Sequence, residues 1–252
     1  MNQSPGNKFI AFLIIIAAPF ALGAFLLAWS PAKQYELTDP EQDGYVTPRS
    51  ISSLVERTQD STVTIWCEPK VGKESQGTAW AIELKTKLSG EYPTTLITNH
   101  HVIEDCIGGA GTVKIALLYE KPVAAAIVEW DEENDIAVVA SAKRLPVLKL
   151  SDNPPWPGYW VMALGSADGY EGSVSFGNVI NTNSAEILMT NNISHGSSGG
   201  PLIDNEGFVV GITSWGLDKE QYNGAKSLDA FCAKILDCEY GDGKTWWDYK
   251  SD

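Results

Sequence analysis

Basic residues are scarce in this sequence of 252 residues. Lysine and arginine total 18 against 32 aspartates and glutamates, so the formal net charge is -14 at pH 7. Such a chain repels polyanions, which argues against nucleic-acid binding. The four cysteines include no C-x-x-C pair, so no metal site is predicted. Their even number is typical of proteins from oxidising compartments outside the cytoplasm.

Charge is almost absent from the first 30 positions, where Lys8 stands alone. Residues 9–29 are uncharged, and as a helix they would span about 31 Å, the thickness of a bilayer's hydrocarbon core. This length favours an uncleaved membrane anchor. The alternative is a cleaved signal peptide, whose apolar core is usually about 7–15 residues long. The α-amino group and Lys8 precede the span, whereas Lys33 and then several acidic residues follow it, so the N-terminus is predicted inside and the remaining chain outside.

Composition and patterning divide the chain into five segments. Residues 1–8 are a short tail, 9–29 the anchor, and 30–49 a polar stem that lacks a hydrophobic period. Residues 50–240 are the folded domain, which is long enough for one sizeable core. Residues 241–252 are a polar and aromatic C-terminal tail, predicted to dock only loosely.

Short apolar or alternating runs, separated by Gly, Pro, Asn and Asp, recur along the folded domain. Regular short strands with turns between them predict an all-β sandwich or barrel. Helical patterns are confined to a short stretch at 50–56 and to 227–236, where apolar residues share one face. The predicted strands lie at 62–66, 77–84, 94–98, 113–118, 124–130, 136–140, 160–163, 173–180, 186–189 and 208–213.

A serine flanked by glycines occurs at Ser198, in the string Gly-Ser-Ser-Gly-Gly that begins at Gly196. Such a loop can expose the serine Oγ and turn backbone N–H groups toward a developing oxyanion. Taken alone, the string is more often an ordinary turn. It also fits the nucleophile elbow of α/β-hydrolases, in which the histidine follows the serine. No histidine follows Ser198 here, so that class is excluded.

A histidine and an aspartate precede this serine at positions suited to acid–base chemistry. His100 and His101 follow the predicted strand 94–98, and Asp135 begins an apolar strand. Each alone could be a surface or turn residue. Together with Ser198 they give the order His, Asp, Ser, which is the chymotrypsin order. A serine nucleophile needs such a base, and the base needs an orienting acid.

The motifs resemble those of trypsin-like serine proteases, in particular the HtrA/Deg branch, over about residues 50–236. This resemblance implies two six-stranded antiparallel β-barrels of the chymotrypsin type, followed by a C-terminal helix. It also makes residues 50–240 a trypsin-like serine protease domain. The motifs are Thr-Asn-His-His-Val from Thr98, Asn-Asp-Ile-Ala-Val from Asn134, Gly-Ser-Ser-Gly-Gly-Pro-Leu from Gly196, Ala-Leu-Gly-Ser from Ala163 and Val-Val-Gly-Ile-Thr from Val209.

The resemblance assigns the catalytic triad to His101, Asp135 and Ser198. The family's histidine directly precedes the valine of its motif, which selects His101 over His100. The oxyanion hole would consist of the backbone N–H groups of Gly196 and Ser198. The implied activity is that of a serine endopeptidase that works through an acyl-enzyme and needs no cofactor. The rival interpretation is a pseudoprotease that binds extended peptides without cleaving them.

Substrate-binding residues also follow from the resemblance. Ser214, Trp215 and Gly216 would form the edge along which an extended polypeptide substrate adds a strand; for Trp215, core packing is the alternative.

The primary specificity pocket would lie between this edge and the loop before Ser198. Asn192 stands six residues before the serine, where a trypsin-type enzyme carries Asp, so a lysine or arginine P1 side chain is disfavoured. Ile193 would narrow the pocket and favour small or medium apolar side chains. His195 would lie at the pocket mouth or be a plain loop residue.

Two features of the chain depart from the pattern of the family, and the family's fold also suggests how the four cysteines pair. The branch usually carries Asn where this chain has Ser197. It also usually carries a PDZ domain, for which too few residues follow here, so its mode of oligomerisation is not carried over and the oligomeric state stays open. In the resembling fold the segments of Cys67 and Cys106 are neighbours, which predicts that pair and leaves Cys232 for Cys238.

Overall fold

The structure is a computed structural model that describes residues 44–83, 92–152, 154–216 and 222–232. The predicted tail, the anchor at 9–29, most of the stem and the C-terminal tail lie outside these residues. Cys238 and residues 233–236 of the helix predicted at 227–236 also lie outside them. Within the described ranges, no helix is both long and apolar enough to cross a membrane.

The first half of the described chain forms a closed antiparallel barrel with the strand order β1-β2-β3-β6-β5-β4. A helix α1 (Ile51–Asp60) precedes it, and a short helix α2 (His100–Ile103) with a 3-10 turn (Glu104–Gly109) follows β3. The strands are β1 (Thr62–Pro69), β2 (Ser75–Ile82), β3 (Thr94–Thr98), β4 (Gly111–Ala116), β5 (Val123–Asp131) and β6 (Ile136–Ser141).

The second half forms another closed antiparallel barrel, with the order β10-β11-β12-β9-β8-β7. The two six-stranded barrels predicted by the resemblance are therefore confirmed. A short helix α3 (Leu228–Cys232) follows the last strand. The strands are β7 (Trp160–Gly165), β8 (Ser173–Thr182), β9 (Glu186–Met189), β10 (Pro201–Ile203), β11 (Val209–Gly216) and β12 (Asn223–Ser227).

Apolar packing continues from one barrel into the other. Strands β6 and β7 are buried along their whole length, and all their residues except Ser141 are apolar. Trp80 of β2 stacks on Phe231 of α3 with 6.1 Å between ring centroids, and neither residue is exposed. Because this core spans both barrels, it fixes the two halves of the cleft where the predicted triad lies.

The C-terminal helix starts one residue later than predicted. Ser227, the predicted first residue, ends β12 and caps α3, because its Oγ accepts a hydrogen bond from Ala230 N at 3.4 Å. The described part of the stem also differs from a free linker. Gly44 O accepts a hydrogen bond from Trp160 N at 2.8 Å, and Tyr45 packs edge-on against Tyr159. The chain is thus in contact with the second barrel from Gly44, the first residue that the structure describes.

Candidate active site

His101 is presented by the short helix α2. Its neighbours Val102 and Ile103 are buried in the first barrel, which leaves the His101 side chain 44% exposed at the cleft. His100 is buried and makes no contact with the Asp135 carboxylate. Adjacent side chains of the helix point in different directions, so only one of the two histidines reaches the aspartate. The structure brings His101 to Asp135.

A disulfide fixes the segment that follows His101. Cys106 in the 3-10 turn is bonded to Cys67 of β1, with 5.8 Å between their Cα atoms. The turn is therefore tied covalently to the barrel wall a few residues beyond the histidine. The other predicted pair, Cys232 with Cys238, includes a residue that lies outside the described ranges.

Asp135 lies at the end of a tight turn between β5 and β6, in the left-handed region with φ +57°. Few residues other than glycine adopt this conformation, so the turn must be held by its surroundings. The carboxylate of Asp131, which is only 1% exposed, accepts hydrogen bonds from the backbone N–H groups of Glu133 and Asn134 and from Asn134 Nδ2. Asn99 Nδ2 donates to the Asp135 carbonyl at 2.8 Å.

The His101–Asp135 pair has the geometry of an oriented imidazole. His101 Nδ1 lies 3.0 Å from Asp135 Oδ1 and 2.9 Å from Oδ2, and the His101 backbone N–H donates to Oδ1 at 3.0 Å. Ser214 Oγ donates to Oδ2 at 2.8 Å. Burial alone would raise the pKa of Asp135. The hydrogen bonds and the charge of His101, together with the hydrogen bond from Ser214, outweigh the effect of burial and lower the pKa below 3.8.

An ionised Asp135 can only accept hydrogen bonds. It therefore holds the Nδ1–H tautomer of a neutral His101 and leaves the Nε2 lone pair available as a base.

Ser198 lies in a loop held by both barrels. Its carbonyl accepts a hydrogen bond from Thr78 N of β2 at 2.8 Å, and the next residue, Gly199, donates to Thr213 O of β11 at 2.7 Å. The Ser198 hydroxyl donates to the Ser214 carbonyl at 3.1 Å, and not to the His101 ring. Ser214 thus contacts the serine with its backbone and the aspartate with its side chain.

The backbone N–H groups of Gly196 and Ser198 are the ones predicted to form the oxyanion hole. The His195 carbonyl accepts a hydrogen bond from Asp168 N at 2.6 Å. Because the C=O and N–H of a trans peptide point in opposite directions, the Gly196 N–H points away from Asp168. Within the described part of the chain, neither the Gly196 nor the Ser198 N–H donates to a protein acceptor. These amides are thus available for an anionic oxygen.

Two glycines of this loop have positive φ angles and are required by close contacts. Gly196 has φ +89° and Gly199 φ +87°. A Cβ atom at Gly196 would overlap the Ser166 carbonyl oxygen, and one at Gly199 would overlap the Thr78 carbonyl oxygen. Any larger residue would therefore push the loop away from its anchors.

The residues predicted to bind substrate do not form one pocket. Asn192 and Ile193 line a cavity of about 350 Å³ against β7 and β8. His195 is exposed and lies outside the lining of that cavity. The Trp215 indole lies on the outer side of the barrel, over Gly224, and donates to Glu186 Oε1 at 3.3 Å.

Three contributors to the site were not predicted from the sequence. Asp131 braces the turn of Asp135, Asp168 orients the peptide before Gly196, and Thr78 donates from Oγ1 to the Gly196 carbonyl at 2.7 Å. For Asp131 a local signal exists, since an aspartate in a turn often accepts a hydrogen bond from the backbone two residues on, as it does here from Glu133 N. The other two contacts join distant parts of the chain, and no local pattern indicates them.

Comparison with known proteins places the chain among peptidases. The model of the trypsin-like peptidase domain family matches residues 77–212. A probable periplasmic serine endoprotease DegP-like from Hahella chejuensis is 36% identical over 129 residues, which cover 47% of this chain and 27% of that protein. A putative serine protease HhoB from Synechocystis is 30% identical over 133 residues, covering 47% and 31%. The chain thus matches less than a third of these curated relatives.

Solved structures share the fold at lower sequence identity. The serine endoprotease from Yersinia pestis superposes with a TM-score of 0.63 at 24% identity, covering 79% of this chain and 70% of that one. The Rv3671c protease from M. tuberculosis, in its active form, gives a TM-score of 0.60 at 21% identity, covering 75% and 86%. Since the family model covers more than half of the sequence, the chain belongs to the trypsin-like peptidase domain family.

Proposed function

We propose that this protein is a serine endopeptidase of the HtrA/DegP type. The observation that carries the proposal is the oriented His101–Asp135 pair beside a serine loop in which two backbone N–H groups have no acceptor among the described residues. This arrangement supplies a base, a nucleophile and an oxyanion site together, which is what acyl transfer needs. The names of the matched relatives, periplasmic serine endoproteases, support the same activity.

The proposed reaction starts with a rotation of the Ser198 hydroxyl from the Ser214 carbonyl toward His101 Nε2. Catalytic hydrogen bonds are often unformed without substrate, so the resting contact is compatible with this step. Ser198 Oγ attacks the peptide carbonyl while His101 takes its proton, and the resulting oxyanion binds the Gly196 and Ser198 amides. His101 then protonates the leaving amine. Water, activated in turn by His101, hydrolyses the acyl-enzyme and releases the acid product.

Extended polypeptides are the proposed substrates. The end of β11, at Ser214 and Gly216, lies beside the serine and would pair its backbone with that of the peptide. The proposed location is the extracytoplasmic side of a membrane, with residues 9–29 as a single-pass anchor. The disulfide and the periplasmic relatives support an oxidising compartment. The proposal includes no nucleic-acid partner.

A fluorophosphonate probe tests the activity directly. It should label the wild type at Ser198, fail to label Ser198→Ala, and label His101→Ala far more slowly, because the hydroxyl then lacks its base. The alternative is a pseudoprotease, favoured by the resting hydrogen bond of Ser198 to Ser214 rather than to His101. An unlabelled wild type that still binds extended peptides would establish that alternative.

Membrane attachment needs a separate test. The mature protein should remain in the membrane fraction after a carbonate wash, because 21 uncharged residues suffice to span a bilayer. A mature N-terminus near Ala32 would show that residues 9–29 are a cleaved signal peptide.

A further inference from the structure

The segment 166–172, between β7 and β8, contacts the loop before Ser198. Its Asp168 N–H donates to the His195 carbonyl at 2.6 Å, which fixes the peptide plane that carries the Gly196 N–H. Asp168 has φ +51°, a conformation that a residue other than glycine keeps only when its surroundings hold it. The direction of the Gly196 N–H therefore depends on what holds this segment.

The C-terminal end of the segment is held by the first half of the described chain. The half-buried Glu171 carboxylate accepts a hydrogen bond from the backbone N–H of Tyr119, in the turn between β4 and β5. Gln59 Nε2, near the end of α1, donates to the Gly172 carbonyl at 2.9 Å. Leu118 packs so closely on Gly172 that a Cβ atom there would lie 2.7 Å from Leu118 Cδ2. Three contacts thus join the segment to the other half of the molecule.

The turn between β4 and β5 has an unusual backbone at this contact. Leu118 and Tyr119 are consecutive residues with φ +38° and +64°, and neither is a glycine. Residues other than glycine seldom adopt this conformation, so two in succession need contacts that stabilise them. The Glu171 carboxylate supplies one, because it accepts the Tyr119 N–H. A strained turn held by a single carboxylate indicates that this contact has a role beyond packing.

We infer that Glu171 is a positioning residue for the oxyanion hole. The inference rests on the proposed endopeptidase activity and adds a residue that touches neither the triad nor the reacting atoms. Glu171 holds the segment 166–172 against the first barrel, so that Asp168 N–H stays on the His195 carbonyl and the Gly196 N–H stays directed at the developing oxyanion. Without the carboxylate, the peptide before Gly196 can rotate, and the oxyanion loses one of its two donors for part of the time.

Two substitutions of Glu171 test this role by steady-state kinetics. Glu171→Ala removes the acceptor, whereas Glu171→Gln keeps an amide oxygen that can accept the Tyr119 N–H. Complete loss of one oxyanion donor lowers kcat by about 10²–10³-fold, so the partial loss in Glu171→Ala should lower kcat by about 10-fold. KM should stay unchanged, because the interaction is made in the transition state. Glu171→Gln should stay within about three-fold of the wild-type kcat.

A peptide aldehyde with the sequence of a cleaved substrate provides the second measurement. Its adduct with Ser198 places an oxygen where the oxyanion forms, so its affinity should fall about 10-fold in Glu171→Ala, in step with kcat. The uncleaved peptide should bind equally well to Ser198→Ala with and without the Glu171→Ala substitution, because it carries no oxyanion. A general loosening of the fold would weaken both ligands.

The matched control is Glu120→Ala, which removes a glutamate of the same turn whose carboxylate pairs instead with Lys143. Its kcat and aldehyde affinity should stay within about two-fold of wild type, since an exposed ion pair contributes little. If Glu171→Ala does not fold, Gln59→Ala is measured in the same way and decides, because it removes the other side-chain hydrogen bond to the segment.

The outcomes separate the inference from the function on which it rests. A folded Glu171→Ala with wild-type kcat and aldehyde affinity would overturn the role of Glu171 and leave the endopeptidase in place. An equal loss in Glu171→Gln would also overturn it, since the hydrogen bond is kept there. A wild type that neither cleaves peptides nor reacts with the fluorophosphonate probe would refute the proposed function itself.

Discussion

Two turns bring the reactive groups together, and they are held in different ways. The turn of Asp135 places a non-glycine residue at φ +57° and is braced by the buried carboxylate of Asp131. The Ser198 loop places its positive φ angles on Gly196 and Gly199 and is anchored by backbone atoms of both barrels. In the first turn the strained residue must keep its side chain. In the second the close approach of the backbone excludes any side chain.

The comparison indicates where each turn is vulnerable. In the Asp135 turn, the two hydrogen-bonding side chains can be replaced by another pair that forms the same hydrogen bonds. In the serine loop, the glycine backbone packs against carbonyl oxygens and leaves no room for an added atom. The Asp135 turn should therefore lose function gradually and be repairable. The serine loop should fail abruptly.

The largest effect is expected for Gly199→Ala. Its methyl group would overlap the Thr78 carbonyl oxygen, so the loop must move and Ser198 leaves the cleft. Fluorophosphonate labelling should vanish, and unfolding should cost about 3 kcal/mol less free energy. Gly108→Ala is the matched control, because it also has a positive φ, +66°, but open space around it. It should cost only about 1 kcal/mol; equal losses in the two variants would contradict the packing argument.

A somewhat smaller loss is expected for Asp135→Asn. An amide there would donate toward the ring and favour the wrong tautomer of His101, so kcat should fall by about 10⁴ with little change in KM. The control is Asp204→Asn, another turn aspartate, whose carboxylate accepts backbone N–H groups from Glu206, Gly207 and Phe208. Its kcat should stay within about two-fold of wild type, because Asp204 does not touch the triad.

A moderate and repairable loss is expected for Asp131→Asn. Its new amide would oppose the Asn134 amide, the turn would loosen, and kcat should fall by about 10-fold. The exchange Asp131→Asn with Asn134→Asp restores one donor and one acceptor between the same positions. Steady-state kinetics should show most of the lost kcat recovered in the double variant. A double variant as slow as the single one would show that the hydrogen bond between positions 131 and 134 does not hold the turn.

The smallest effect concerns pH. The folded-state pKa of Asp135 is lowered, so its stabilisation is present above the unfolded pKa of about 3.9 and is lost as the pH falls through the folded value. In a Ser198→Ala background, the difference in unfolding free energy between Asp135 and Asp135→Asn should therefore shrink below pH 4. Denaturant titrations from pH 7 to 3 measure it. A difference that grows below pH 4 would contradict the lowered pKa.

Sequence patterns predicted most strands and missed two for identifiable reasons. β10 has three residues, too few to show alternation, and β12 reads Asn-Gly-Ala-Lys-Ser, which resembles a turn. The helix predicted at 227–236 began one residue too early, because hydrophobic periodicity does not distinguish a serine that caps a helix from a serine inside it. The anchor at 9–29 stays a prediction.

The three triad residues could be predicted from the sequence, but the contacts that hold them in place could not. Ordered motifs selected His101, Asp135 and Ser198, whose catalytic roles stay proposals, and the structure places the first two in contact. The double contact of Ser214 joins positions 79 residues apart, and it depends on how β11 crosses the cleft. Trp215 was assigned to substrate by its place in the motif, but its indole position depends on Gly224, which no local pattern links to it.

The Cys67–Cys106 disulfide determines how a cut in the backbone of this protein is detected. It closes a covalent ring between two cysteines 39 residues apart, and the ring contains His101 but neither Asp135 nor Ser198. A single cut inside the ring, including one made by another copy of the enzyme, releases no fragment while the disulfide is intact. A nicked molecule therefore runs as one band on a non-reducing gel and separates into two pieces only after a thiol is added.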